Sequence, residues 1–290
     1  MSIGRIVEPS SGRGALAFFE DGEVFTAPDE SRVTSVDAFL RLDADERALL
    51  RKSAGRRRPA AEVRCLAPIV SPSKVVCVGQ NYPEHNDETG FERPAEPLIF
   101  SKFPSTIIGP GEEIELPAVA PRRVDYEAEL AVIVGRKGRN VPQHAALDYV
   151  AGYTAANDIS ARDWQVKKPG GQWLLGKTFD TFLPLGPVMV TADEIGDPQD
   201  LRIQCSIGGE ILQDDTTGKM IFSISELLAY ISSVCTLEVG DVLLTGSPAG
   251  VGMSRKPPRW LAEGDLVKTS IDRIGVLENP VVKGVSGAAI

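Results

Sequence analysis

The sequence contains no apolar run near the roughly 20 residues that span a bilayer, and its opening MSIGRIVEPS lacks the apolar core of a secretory signal. Neither a membrane partner nor export is expected, and a cytoplasmic address is. Cysteine is scarce. Cys65, Cys77, Cys205 and Cys235 show no CxxC spacing, and three of them sit in apolar runs where a small thiol packs in reduced form. Histidine is scarcer still, with His85 and His144 alone, so zinc finds few of its preferred ligands. Positive charge is in deficit: 31 Lys and Arg face 40 Asp and Glu, for a net −9. A chain of that sign repels phosphate backbones, so nucleic acid is not an expected partner. Its one basic run, Arg56-Arg57-Arg58 before Pro59, reads as solvated linker.

What is present is a globular balance, 42% apolar and 24% charged over 290 residues, enough chain for a sizeable core. Residues 14–27 read as two short strands around Glu20-Asp21-Gly22, and residues 35–54 take a helical period that Gly55 ends. Residues 1–66 are therefore expected as a small α+β domain, with 56–72 as a Pro-containing lead into a larger domain over 67–290. There the pattern is mostly β, with apolar runs at Val75-Val76-Cys77-Val78, Val188-Met189-Val190 and Val242-Leu243-Leu244. A capping box at Ser223-Ile224-Ser225-Glu226 starts one clear helix, with Ile224, Leu227, Leu228 and Ile231 on one face. Regular β-helix-β alternation is missing, so an α+β fold of rolled or sandwiched sheets is expected rather than a doubly wound one.

The most informative stretch is Asp125-Tyr126-Glu127-Ala128-Glu129, which runs into the apolar strand Leu130-Ala131-Val132-Ile133-Val134. Residues two apart on a strand share a face, so Glu127 and Glu129 set two carboxylates side by side. Such a pair is either solvent-facing on an edge strand or buried with a proton or a cation between the charges. The apolar strand that follows, expected to be covered on both faces, favours burial. A second acidic stretch, Asn157-Asp158-Ile159-Ser160-Ala161-Arg162-Asp163-Trp164-Gln165, lies downstream. Carboxylates with so little Cys and His suit a hard cation such as Mg2+ or Mn2+. After the strand at 75–78, a helical turn beyond Pro83 would bring His85 and Glu88 together at i and i+3 as a proton-moving pair. His144 follows Pro142 in a polar stretch and receives no role.

Read in order, GxNYxxHxxExG (79–90), DYEAELAVIVG (125–135), NDISARDWQ (157–165), GKTFDTFLPLGP (176–187) and TGSPAGVG (245–252) resemble the fumarylacetoacetate hydrolase superfamily. The resemblance covers roughly residues 72–282, and its tail resembles the short bacterial-type and mitochondrial-type branch. It implies a mixed β-roll and β-sandwich catalytic domain. It implies that Glu127, Glu129 and Asp158 hold Mg2+ or Mn2+, and that His85 and Glu88 transfer protons on a mobile lid. It further implies that Lys177 contacts substrate oxygens, that Arg162, Gln165 and Thr245 bind substrate, and that the protein is a homodimer. Ser247 stands where the family more often has Thr, and Pro83 and Asn86 vary the lid.

The expected substrate is a small 2-oxo or β-diketo acid reacting through a metal-bound enolate. C–C hydrolysis of an acylpyruvate or diketo acid ranks first. Oxaloacetate decarboxylation or tautomerisation follows, then hydrolysis of a diketo-deoxy sugar acid and the isomerase or decarboxylase steps of aromatic catabolism. The rival class is a non-catalytic metal and metabolite-binding protein.

Overall fold

The computed structural model describes residues 1–8, 11–28, 31–55, 57–120 and 122–284. Apolar runs bounded by Gly, Pro and Asp become strands, and twelve of these strands join one sheet. Along its main path the order is Arg58–Pro59, Glu23–Thr26, Gly14–Glu20, Ser2–Val7, Leu183–Thr191, Val150–Asn157, Ala128–Val134, Val242–Leu244, Val75–Gly79 and Leu98–Lys102. On that path only Val242–Leu244 and Val75–Gly79 run parallel. A five-stranded sheet, with Arg202–Ile207, Leu266–Ile271 and Gly275–Lys283 in its middle, packs against the Ala128–Val134 and Val150–Asn157 strands. The architecture is the α+β arrangement of sheets expected from the sequence.

Ala128–Val134 shows why its sequence is apolar at nearly every position. Leu130, Val132 and Val134 enter a core shared with Ile203, Cys205, Val267 and Leu277, whereas Ala131 and Ile133 enter one shared with Phe18, Phe25 and Phe39. The two-residue period of a strand sends alternate side chains to opposite faces, and both faces are covered. The second core draws on residues from both sides of position 66, and Ser2–Val7 pairs with Leu183–Thr191 at Ser2↔Val190 and Ile3↔Met189. The helix Ile224–Val234 carries the capping box at Ser223 and Glu226 and buries Ile224, Leu227, Leu228 and Ile231 in the first core.

Two local expectations are corrected. Residues 35–54 form two helices, Val36–Leu40 and Ala44–Lys52, because Asp43 and Glu46 make a reciprocal capping box that starts a second helix. The basic run is solvated linker only in part: Arg57 is exposed outside any strand, whereas Arg58 is half-buried. Arg58 enters an edge strand opposite Val24 and pairs with Glu8 at 2.8 Å, and Arg57 pairs with Glu23 at 3.0 Å; Arg56 lies outside the described residues. The carboxylates of neighbouring strands thus neutralise charges that the local sequence leaves unpaired. All four cysteines are free, and burial pushes the Cys205 thiol up to about 12. Among the described residues no helix is long and apolar enough to cross a membrane.

Candidate active site

The site forms where Ala128–Val134 begins. Register sets it: Ala128 pairs with Asn157, so in an antiparallel pair the residue before the first and the residue after the second become neighbours. These are Glu127 and Asp158, and Asp158 N donates to Glu127 O at 2.8 Å. The Asn157 side chain fastens the other side, accepting from Glu127 N at 2.9 Å. Glu129, two residues along the strand, completes a buried trio whose ligand oxygens all lie within 4.8 Å of one another. The edge-strand alternative is thereby removed.

Charge compensation within the trio is uneven. Lys177 Nζ donates to Glu127 at 2.6 Å and to Asp158 at 2.7 Å, Arg162 donates to Glu127 at 2.6 Å, and Lys102 Nζ donates to Asp158 at 2.7 Å. Glu129 accepts from the Gly246 amide at 2.7 Å and joins no ion pair among the described residues. Burial, then the charges of Asp158 and Glu127, push its carboxyl well above the usual range. Burial also pushes Glu127 upward, but Arg162 and then Lys177 outweigh it and hold that group below the usual range. A buried carboxylate without a cation, beside two others and with oxygen donors only, fits a hard divalent ion.

The segment after the Val75–Gly79 strand supplies the imidazole. Pro83 opens the helix Pro83–Thr89 and Gly90, at φ 75°, closes it in the left-handed region. One turn of that helix sets His85 Nδ1 2.9 Å from Glu88 Oε1. A cavity of about 40 Å³ is lined by His85, Glu127, Glu129, Arg162, Gln165 and Lys177, so six of the nine expected site residues share it. Arg162 and Gln165 are neighbours on Arg162–Val166, joined at 2.8 Å. Asp158 and Glu88 stand behind this lining, each bonded to a residue that forms it.

Thr245 is the exception. Its hydroxyl donates to Leu130 O at 2.8 Å in the fully buried start of its loop, and Ser247, two residues on, lines the cavity instead. The loop bends at Gly246, whose φ of 97° reverses the face presented. Sequence reasoning also missed Gln80, Met253 and Lys102. Lys102 ends an ordinary-looking strand, LIFSK, and only its 1% exposure beside Asp158 sets it apart.

Comparison with known proteins agrees with this geometry. The family model described as fumarylacetoacetate (FAA) hydrolase C-terminal matches residues 74–282. The chain is 50% identical over 222 residues to the mitochondrial oxaloacetate tautomerase fahd2 of Xenopus laevis, covering 77% of this chain and 69% of that protein. It is 50% identical over 224 residues to the mitochondrial oxaloacetate tautomerase FAHD2A of Homo sapiens, covering 77% and 71%. Among solved structures, the fumarylacetoacetate hydrolase of Exiguobacterium antarcticum superposes with a TM-score of 0.85 at 36% identity, covering 98% of this chain and 100% of that one. The 5-carboxymethyl-2-hydroxymuconate delta-isomerase of Mycobacterium smegmatis does so at 0.78 and 37% identity, covering 99% and 100%.

The relatives' names correct one expectation. The cytoplasmic address rested on the lack of a secretory apolar core, which does not distinguish cytoplasm from the interior of an organelle. Relatives at 50% identity are named mitochondrial, and the cytoplasmic reading is withdrawn. With the family model matched over most of the chain and the acidic trio of its motifs brought together in one buried cluster, this protein belongs to the fumarylacetoacetate hydrolase family.

Proposed function

We propose that this protein catalyses enol–keto tautomerisation of oxaloacetate or a closely similar small 2-oxo dicarboxylic acid. The observation that carries this reading is His85, held by Glu88, beside Glu127, Glu129 and Lys177 in one cavity. Tautomerisation moves one proton between an enol oxygen and the adjacent carbon, with no leaving group to house. Hydrolysis of an acylpyruvate, ranked first on sequence, must in addition place a water against the remote carbonyl, a second reactant that tautomerisation does not need. The names of the relatives at 50% identity, oxaloacetate tautomerases, support the same choice.

Glu127, Glu129 and Asp158 would hold the divalent ion, Mg2+ or Mn2+. When bound, that ion supplies Lewis acidity toward the carboxylate and 2-oxygen of the acid and stabilises the charge that develops there. Lys177 adds a second positive charge beside that oxygen, and Arg162 with Gln165 binds carboxylate. His85, oriented through Nδ1 by Glu88, leaves Nε2 to exchange a proton with the carbon next to the 2-oxo group.

The test follows the ultraviolet absorbance of enol-oxaloacetate with and without Mg2+. Faster ketonisation that EDTA abolishes is the expected result. Cleavage of an acylpyruvate without any effect on ketonisation would replace this reading with the hydrolase one. Binding of Mn2+ and oxalate with no turnover would identify a non-catalytic binding protein. We also propose a homodimer, for which exposed Ile99, Phe103, Leu175 and Val234 supply apolar surface. Light scattering that returned only 31.1 kDa would exclude it.

A further inference from the structure

Four consecutive backbone amides are captured by two carboxylates from distant parts of the chain. Gly250 and Val251 donate to Glu88 at 2.9 and 3.4 Å, and Gly252 and Met253 donate to Asp125 at 2.7 and 3.0 Å. Glu88 holds His85, and Asp125 holds Arg162 Nε at 2.9 Å. The 250–253 loop is therefore a strut between the imidazole and the guanidinium, two groups with no direct bond to each other.

Asp125 is fully buried and saturated. Its Oδ1 accepts from Tyr126 N at 2.9 Å and Gly252 N, and its Oδ2 accepts from Arg162 Nε and Met253 N. The next residue ties the same loop, with Tyr126 Oη donating to Gly250 O at 3.1 Å. Close backbone packing keeps the loop from yielding, since a Cβ at Gly250 or Gly252 would fall on the carbonyl of Leu212 or Arg259.

We propose that Asp125 is a positioning residue, acting on substrate binding through Arg162 and on proton transfer through the 250–253 loop, Glu88 and His85. The part of this assignment that concerns what Arg162 binds rests on the tautomerase reading; the mechanical link to His85 does not. Asp125→Asn is nearly isosteric, yet its amide nitrogen turns donors toward two donors whichever way it is placed. A displacement of about 1 Å costs up to roughly 100-fold in rate.

The experiment compares the unsubstituted enzyme with Asp125→Asn, both loaded with diamagnetic Mg2+. Expected are a lower kcat and a higher KM for enol-oxaloacetate and about tenfold weaker oxalate binding. The chain has only two histidines, so the imidazole resonance of His85 can be followed by NMR without turnover. It should move while that of His144 stays. Normal kcat and KM with an unmoved His85 resonance overturn the proposal. If the unsubstituted enzyme fails to tautomerise but the His85 resonance still responds to Asp125→Asn, the functional reading falls and the mechanical link stands. Should Asp125→Asn not fold, hydrogen exchange in Glu88→Gln decides. Faster exchange at Gly252 and Met253, beyond Glu88's own partners, supports the strut, and change confined to Gly250 and Val251 overturns it.

Discussion

His85 and Glu88 face each other across one turn of the helix Pro83–Thr89, with Nδ1 and Oε1 2.9 Å apart. The second oxygen of Glu88 accepts from Gly250 N at 2.9 Å, so the carboxylate that orients the imidazole also ties its helix to the 250–253 loop. General acid–base catalysis by a placed side chain is worth about 10²–10⁴-fold. His85→Ala should lower kcat for ketonisation within that range and leave Mn2+ affinity unchanged by calorimetry. Normal turnover by the variant would assign the proton to another group.

Glu129 predicts how stability without metal depends on pH. Its raised pKa means the folded chain keeps a proton that the unfolded chain releases near 4.5. That contribution is fully present below the unfolded value and is lost as pH rises through the folded one. Thermal unfolding of metal-free protein should therefore show Tm falling along that limb, with added Mn2+ restoring it. Glu129→Gln should flatten the limb and remove most of the Mn2+ response. An unchanged slope in the variant would show that another group sets the dependence.

Lys102 holds Asp158 Oδ1 at 2.7 Å and Ile159 O at 3.0 Å from a fully buried position. Removing one partner of a buried pair costs about 3–5 kcal/mol, because the other charge stays behind without compensation. Lys102→Met should lose stability of that order in urea unfolding. Combining it with Asp158→Asn should cost less than the two separate losses together. Strict additivity would mean that the pair does not interact energetically.

Gly252 has no room for a side chain. An added Cβ would meet the Arg259 carbonyl and approach Asp125 Oδ1 to 2.6 Å. Overpacking of this kind costs about 1–3 kcal/mol or more. Gly252→Ala should lower the urea midpoint and, in the fraction that folds, lower kcat/KM. Full stability with full activity would show that the loop backbone yields more readily than its packing indicates.

Much of the architecture was legible because the signals are local. The apolar runs at 75–78, 188–190 and 242–244 became strands, and the Ser223 capping box started the expected helix. The Glu127-Ala128-Glu129 spacing marked a paired-carboxylate site, since strand periodicity fixes which side chains share a face. The same local reading failed at Asp43, where a cap inside an apparently continuous helical pattern divided it.

The amino-acid sequence by itself determined the sheet-rich core, the carboxylate pair at the start of one strand and the imidazole one helical turn from its acid. These follow from backbone period and from the transfer of apolar side chains out of water, both of which act over a few residues. Tertiary structure alone decided which charges meet. The pairing of Ala128 with Asn157 brings Asp158 to Glu127, the burial of Lys102 supplies Asp158 with an ammonium, and the turn at Gly246 gives Ser247 rather than Thr245 to the cavity. Coulomb interaction strengthens steeply in a low-dielectric interior. Partners chosen by long-range strand register therefore govern the chemistry, and no spacing along the chain records them.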